Sequence, residues 1–220
     1  MKESNRERKI KTEPKLRIEL SEQQKKVTTN FYTYDISFVV GKWGSGKSAS
    51  AIHTAITAKR KWGYDKIFIT KPIVRNNLGI LPGTIDEKLS PYIYCVLQNF
   101  EICQGREVTE REVADGKIEI IPVETAKGMT FVNSIVIVDE FEDFDNQDFI
   151  TMLTRLGKDS KMILCGSKQQ IDRSMSKTTC YPLVEALADS GLVGYVELDA
   201  NFRNDSLKPI MDYLESKDLI

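Results

Sequence analysis

Residues 36–48 read Ile-Ser-Phe-Val-Val-Gly-Lys-Trp-Gly-Ser-Gly-Lys-Ser, a short apolar run that leads into a turn rich in glycine. The end of this stretch, from residue 41 to 48, matches the pattern G-x-x-x-x-G-K-[ST]. The apolar run predicts a buried strand, and the alanine-rich residues 46–62 predict a helix. A strand, a glycine turn and a helix in this order form the context in which such a loop binds phosphate. The segment therefore predicts an α/β fold with a phosphate site at the beginning of the helix.

The residue types in this loop suit a nucleoside triphosphate together with its metal ion. Glycines allow the backbone to wrap around an anion with its N–H groups pointing inward. We expect Lys47 to reach the β- and γ-phosphates, as a catalytic group, and the hydroxyl of Ser48 to ligate Mg²⁺. The residues predicted to contact the nucleotide are Gly41, Trp43, Gly44, Ser45, Gly46, Lys47 and Ser48. A chance match in a glycine turn is the alternative, which the flanking strand and helix disfavour.

Further apolar runs alternate with helical stretches along the rest of the chain. We predict strands at Ile36–Val40, Lys66–Thr70, Lys117–Ile121, Ser134–Val138, Lys161–Cys165 and Gly194–Leu198. We predict helices at residues 21–34, 46–62, 86–100, 146–156, 180–190 and 205–216. Apolar strands separated by helices indicate a mostly parallel central sheet with helices on both faces. We expect one domain over residues 21–220, preceded by a basic tail or lead-in at residues 1–20.

Two acidic residues follow the strand at Ser134–Val138. Residues 135–140 read Ile-Val-Ile-Val-Asp-Glu, which places both carboxylates at the carboxyl end of a buried strand, where open α/β sheets bind ligands. Asp139 would hold Mg²⁺ directly or through water, and Glu140 would orient and deprotonate the attacking water. The alternative is a solvated acidic turn. Four nearby acids are interpreted as such a surface: Glu142, Asp143, Asp145 and Asp148.

Two later polar segments could also face the phosphates. Residues 166–172, which follow the strand at Lys161–Cys165, contain Gln169 and Gln170, either of which could contact the γ-phosphate and report its loss. Arg203 follows a predicted strand and precedes a predicted helix, where a guanidinium could stabilise phosphate charge in the transition state. A polar loop and a surface arginine are the alternatives for these segments.

The composition of the whole chain is that of a soluble globular protein. It has 220 residues, 41% hydrophobic and 29% charged, with a formal net charge of −1. This balance gives no electrostatic sign of a nucleic-acid or membrane partner. No apolar run reaches the length of about 18 residues that marks a membrane span, and the N-terminus does not resemble a signal peptide. We therefore expect a cytoplasmic protein, from a bacterium or a phage-infected cell, with no membrane partner.

With these motifs in order, the sequence resembles the PhoH-like ATPases and, behind them, the first domain of superfamily 1 helicases. The likeness runs from about Gln24 to the C-terminus. It includes Leu-Gly-Ile-Leu-Pro-Gly at 78–83, Asp-Glu-Lys-Leu-Ser-Pro-Tyr at 86–92 and Thr-Arg-Leu-Gly-Lys-Asp-Ser-Lys-Met at 154–162. These segments are longer and more specific than the phosphate loop alone. The resemblance implies a single RecA-like P-loop NTPase domain that binds and hydrolyses ATP with Mg²⁺.

The resemblance also implies roles for residues outside the loop. Gln24, which stands 17 positions before Gly41, matches the glutamine that reads adenine, and Gln170 falls on the family's sensor glutamine. Arg203 falls on an arginine that, in a homo-oligomeric ring such as a hexamer, could act across a subunit boundary. PhoH-like proteins are reported as rings associated with RNA. By analogy with helicase relatives, the residues that would face RNA or single-stranded DNA are Lys71, Pro72 and Arg75.

Three functions follow from this interpretation. The first is an ATPase motor or switch that acts on RNA or single-stranded DNA. The second is a nucleotide-gated module whose partner is a protein, which the nearly neutral net charge keeps open. The third is a small-molecule phosphotransferase. It is disfavoured because Glu140 directly after Asp139 suits the activation of water.

Overall fold

A computed structural model of the chain describes residues 15–72, 85–168, 179–199 and 208–217, with the backbone alone for residues 85–92, 208 and 215. The strands are β1 (Ile36–Gly41), β2 (Lys66–Lys71), β3 (Ile118–Pro122), β4 (Ser134–Asp139), β5 (Lys161–Gly166) and β6 (Gly194–Leu198). The helices are α1 (Glu22–Thr33), α2 (Lys47–Trp62), α3 (Ile85–Gln104), α4 (Arg106–Ala114), α5 (Val123–Ala126), α6 (Asn146–Leu153), α7 (Tyr181–Ser190) and α8 (Lys208–Glu215). A short 3₁₀ turn covers Phe141–Asp143.

The strands form one sheet in the order β3-β2-β4-β5-β1-β6, and each described pair of neighbours is parallel. This confirms the predicted α/β fold with a parallel central sheet. The spatial order differs from the order along the chain, because β4 and β5 lie between β2 and β1. The carboxyl ends of β1, β2, β4 and β5 therefore meet at the same edge of the sheet.

Apolar side chains fill a core layer on each face of the sheet. On one face, the odd-numbered residues of β4 pack with α1, α2 and α3; this layer includes Phe31, Ile52, Ala55, Phe100, Ile135 and Ile137. On the other face, the even-numbered residues of β4 pack with α5, α6 and α7; this layer includes Phe68, Phe131, Val136, Val138, Phe149 and Val184. Because successive side chains of a strand alternate between faces, Asp139 at the end of β4 falls on the side of α2.

The beginnings of β4 and β5 are joined by a buried serine. The hydroxyl of Ser160 accepts a hydrogen bond from the backbone N–H of Ser134 at 3.0 Å and donates one to the carbonyl of Phe131 at 2.9 Å. Ser160 and Ser134 are both buried, so this bond satisfies polar backbone groups that water does not reach.

Most element boundaries agree with the predictions to within one or two residues. The helix predicted at residues 146–156 ends earlier, at Leu153, while α3 continues to Gln104. Helices α4 and α5 were not predicted from the sequence. The predicted beginning of the last helix at residues 205–207 lies outside the described residues. None of the helices in the described ranges is long and apolar enough to cross a membrane.

The residues just before α1 lie against the domain. Leu16 and Ile18 are partly buried against the core layer of α2, and the backbone N–H of Arg17 donates to the carbonyl of Cys103 at 2.8 Å. Ser21 then begins α1 with a capping box, in which its side chain and that of Gln24 exchange hydrogen bonds with each other's backbone N–H groups. The division between a lead-in at residues 1–20 and the domain stays a prediction.

Candidate nucleotide-binding and catalytic site

The glycine turn between β1 and α2 needs glycine for two different reasons. Gly44 and Gly46 have φ values of 74° and 79°, in the left-handed region that side chains disfavour. Gly41 has no such conformation. A Cβ on Gly41 would instead overlap the carbonyl oxygen of Leu198 in the neighbouring strand β6. Close approach of two backbones therefore excludes a side chain at the first position of the motif.

The first turn of α2 has the polarity that attracts an anion. Gly46 caps the helix without a side-chain hydrogen bond, and the first turn contains no acidic residue. The N–H groups at a helix N-terminus carry partial positive charge and lack partners within the helix. The beginning of α2 is therefore able to bind a phosphate group, as the sequence predicts for this position.

Lys47 closes the loop on itself. Its ammonium donates hydrogen bonds to the carbonyl oxygens of Gly41 at 2.8 Å and Lys42 at 2.9 Å. The hydroxyl of Ser45 also donates to the carbonyl of Lys42, at 2.8 Å. The carbonyl oxygens thus accept hydrogen bonds from donors that a phosphate would use. When a triphosphate binds, its more negative oxygens would replace these carbonyls as the acceptors.

Ser48 and Asp139 lie across from each other between α2 and β4. The hydroxyl of Ser48 donates to both carboxylate oxygens of Asp139, at 2.8 and 3.0 Å. Loss of hydration raises the pKa of Asp139, while the hydrogen bond from Ser48 acts in the opposite direction. A hydroxyl and a carboxylate oxygen are hard ligands of the kind that Mg²⁺ prefers, and both already point to one place. These two residues fit the predicted metal ion.

Glu140 combines an unusual backbone with an ion pair. Its φ of 57° and ψ of 44° place a residue other than glycine in the left-handed region, which costs about 1 kcal/mol and occurs often at functional sites. Its carboxylate oxygen Oε1 lies 2.6 Å from the ammonium of Lys71. The residue predicted to activate water thus contacts a residue predicted to face nucleic acid.

Gln24 reaches the phosphate loop from α1. Its side-chain NH₂ donates to the carbonyl of Ser45 at 3.1 Å, and its Oε1 accepts from the backbone N–H of Ser21 at 3.1 Å. The residue is buried. To bind an adenine base, the Oε1 and NH₂ groups of Gln24 would have to give up these hydrogen bonds and form new ones with the base. Its place beside the loop agrees with the predicted position, and its role stays a prediction.

The structure brings together at one edge of the sheet Gly41, Gly44, Ser45, Gly46, Lys47, Ser48, Lys71, Asp139 and Glu140. Trp43 lies in the same loop and is partly exposed, and Pro72 directly follows β2. Gln169, Gln170, Arg203 and Arg75 lie outside the described residues. Their predicted roles therefore stay predictions.

One residue of the site was interpreted wrongly from the sequence. Glu142 is 3% exposed and is not part of a solvated acidic surface. Burial raises its pKa to about 8, so the carboxyl group is largely protonated at neutral pH. Its Oε2 lies beside Gly166, where an added Cβ would approach it to 2.8 Å. No spacing in the run of acids distinguishes Glu142 from its neighbours, so the sequence contains no signal for this burial.

Two of the other acids in this run hold the structure locally. Asp145 caps α6, because its carboxylate accepts from the backbone N–H of Asp148 at 2.7 Å. Asp148 in turn lies 2.6 Å from the ammonium of Lys127. These contacts give the acidic stretch a structural role that goes beyond solvation.

The sheet order and the glycine loop together define a RecA-like P-loop NTPase domain. A family model described as PhoH-like protein matches residues 18–215, and the chain belongs to this family. It is 36% identical over 140 residues to the PhoH-like protein of Bacillus subtilis, covering 63% of this chain and 44% of the relative. It is 32% identical over 161 residues to Protein PhoH of Escherichia coli, covering 68% and 43%.

A solved structure with a similar fold is the SWI2/SNF2 ATPase core of Sulfolobus solfataricus in complex with double-stranded DNA. The TM-score is 0.52 at 11% sequence identity, with 88% of this chain and 47% of that chain covered. This likeness supports the fold alone. The chain spans less than half the length of the curated relatives it matches.

Proposed function

We propose that this protein binds ATP with Mg²⁺ and hydrolyses it, and that it acts on RNA or single-stranded DNA as a helicase-like motor or switch. The observation that carries the proposal is the contact of Ser48 with Asp139 beside the beginning of α2. Two side-chain oxygens of the kind that Mg²⁺ prefers thus lie next to the positive end of a helix and next to Lys47. Membership of the PhoH-like family supports the same reading at the level of a P-loop NTPase.

Binding would use groups that already converge on the loop. Lys47 would exchange the carbonyls of Gly41 and Lys42 for oxygens of the β- and γ-phosphates. Ser48 and Asp139 would hold Mg²⁺, which when bound neutralises charge on the phosphates. Gln24, at the loop's edge, would read the adenine.

Hydrolysis would depend on Glu140 as the general base. Its side chain is 45% exposed at the end of β4, so a water molecule can approach it. Glu140 would orient that water and accept its proton during attack on the γ-phosphate. Gln170 would sense the γ-phosphate, and Arg203 would stabilise the transition state, across a subunit boundary if the protein forms a ring.

Nucleic acid would approach the same edge of the sheet. Lys71 ends β2 there, and Pro72 and Arg75 follow it in the chain. Phosphodiester groups are recognised mainly by lysine and arginine, so these residues suit the backbone of a single strand rather than its bases. A homo-oligomeric ring such as a hexamer would bring a second copy of this domain beside the first and supply the second surface that unwinding needs.

The test is ATP hydrolysis measured as phosphate release, with and without single-stranded RNA and DNA, alongside the particle mass in ATP and in ADP. Lys47→Ala should abolish ATP binding and turnover. Glu140→Gln should keep ATP binding and lower turnover by about 10²-fold, because the group that activates water is lost. Glu110→Gln alters an exposed acid on α4 and serves as the matched control. Turnover at the wild-type rate in Glu140→Gln would refute the assignment.

A second function is favoured by one observation, the net charge of −1, which does not attract a polyanion. A nucleotide-gated module that binds a protein would hydrolyse ATP slowly and respond to neither RNA nor DNA. A phosphotransferase, which is less favoured, would phosphorylate a nucleoside without releasing free phosphate. The same assays separate these outcomes from the first.

A further inference from the structure

The ion pair between Lys71 and Glu140 joins two residues with different predicted tasks. Strand β2, which ends at Lys71, lies beside β4, and Thr70 is in register with Val138. The chain leaves these strands at the same edge, which places the ammonium of Lys71 2.6 Å from Oε1 of Glu140. The left-handed backbone of Glu140 is part of the geometry that directs this side chain.

This contact works against the role of a general base. A base must present an oxygen lone pair to the attacking water and accept its proton. In Glu140, Oε1 faces an ammonium at charge-assisted hydrogen-bond distance, so that oxygen is already engaged. The ion pair also holds this oxygen toward the end of β2.

We infer that Lys71 is a positioning residue that holds Glu140 in a less active state, and that a phosphodiester backbone bound at Lys71 releases it. The inference rests on the proposed function, because it assumes that Glu140 activates water. A phosphate group carries a full negative charge and competes directly with the carboxylate for the ammonium. Binding of a single strand would thus raise the rate of hydrolysis through this one contact.

The exposure of the pair suits an exchange of partners. The side chain of Lys71 is 26% exposed and that of Glu140 is 45% exposed, so the pair is partly hydrated. Ion pairs of this kind contribute little to stability and shift an equilibrium by a factor of about two to five. A deeper pair would be too strong for a phosphate to open, and a fully hydrated one would not restrain the base.

The experiment compares Lys71→Gln with Lys66→Gln in ATP turnover at saturating Mg²⁺. Lys66 lies at the amino end of the same strand, away from the candidate site, and pairs with Glu119, so it is a matched control. We expect Lys71→Gln to raise kcat without nucleic acid by about two- to fivefold, with KM for ATP unchanged. Lys66→Gln should behave as the wild type. Glu140→Gln added to Lys71→Gln should abolish the gain.

The probes are poly(U) RNA and oligo(dT) DNA, used separately, so that the two arms distinguish an RNA source of the phosphodiester from a DNA source. The turnover of the wild type should rise with one of these probes. The turnover of Lys71→Gln should not rise further when either probe is added, whereas Lys71→Arg should again be stimulated. An unchanged or lower kcat in Lys71→Gln, or activation of that variant while neither probe stimulates the wild type, would overturn the inference.

The two proposals fail in different ways. If the wild type hydrolyses ATP in a manner that depends on Lys47 and Glu140, and Lys71→Gln brings no gain, the restraint is wrong and the ATPase stands. If neither the wild type nor Lys71→Gln hydrolyses ATP, the proposed function fails and the restraint fails with it. Activity that the wild type shows only with a single strand, and that Lys71→Gln shows without one, would support both.

Discussion

Replacement of Glu142 by glutamine removes a titrating carboxyl group from the interior while preserving its shape. Glu142 is 3% exposed, and burial raises its pKa from 4.5 to about 8. The negative charges of Glu140 and Asp139 act in the same direction, whereas a hydrogen bond from the backbone of Ser167 opposes them. At neutral pH the carboxyl group is therefore mostly protonated in the folded protein and ionised in the unfolded chain.

The sign of the effect follows from proton binding. Between a pH of 4.5 and about 8 the folded state holds a proton that the unfolded chain has lost. The free energy of unfolding then falls by about 1.4 kcal/mol per pH unit as the pH rises. The contribution is fully present below 4.5 and is lost by about 8, which sets an upper limit of about 5 kcal/mol for this group.

The assay is urea unfolding of the wild type and of Glu142→Gln at about pH 5.5 and about pH 8.5. The free energy of unfolding of the wild type should fall between these conditions by about 3 kcal/mol more than that of the variant. Glu107→Gln, which changes an exposed acid in the first turn of α4, is the control and should follow the wild type. Parallel curves for the wild type and Glu142→Gln would refute the argument.

Three further predictions concern stability. Gly41→Ala should lower the free energy of unfolding by about 2 kcal/mol, because its Cβ overlaps the carbonyl of Leu198. Thermal unfolding should show a lower Tm and ATP titration a weaker affinity, and an unshifted Tm would contradict the prediction. Ser160→Ala should cost about 1–3 kcal/mol in urea unfolding, since it leaves a buried N–H at the beginning of β4 without its partner. Lys59→Met should lower the free energy of unfolding by about 3 kcal/mol, because its ion pair with Glu112 at 2.6 Å is mostly buried and the carboxylate of Glu112 would remain buried without its partner. Recovery of the wild-type free energy of unfolding in a Lys59→Met, Glu112→Leu double variant would support this cause.

Local patterns predicted most of the fold because the strands are buried on both faces. Runs such as Ile-Val-Ile-Val at 135–138 leave no polar face, so they indicate interior strands of a parallel sheet. Helix α4 was missed for the opposite reason. It is rich in charged residues and buries only Thr109, so no apolar period marks it. Helix α5 is a single turn, too short for any periodic signal.

The candidate site divides in the same way. The loop at residues 41–48 and the pair Asp139 and Glu140 are each contiguous in sequence, so their type and their edge of the sheet could be predicted. The sequence could not predict that β6 excludes a side chain at Gly41. Strand β6 is distant in the chain and lies beside β1 only in the folded sheet.

The phosphate loop, the parallel sheet and the edge at which the acids lie can all be predicted from the residues alone, because they depend on local pattern and on the alternation of side chains along a strand. Two features emerge only in the folded chain: β2 lies beside β4, which pairs Lys71 with Glu140, and the carboxyl group of Glu142 is enclosed. Strand order and desolvation are properties of the assembled layers, and no single stretch of residues contains them.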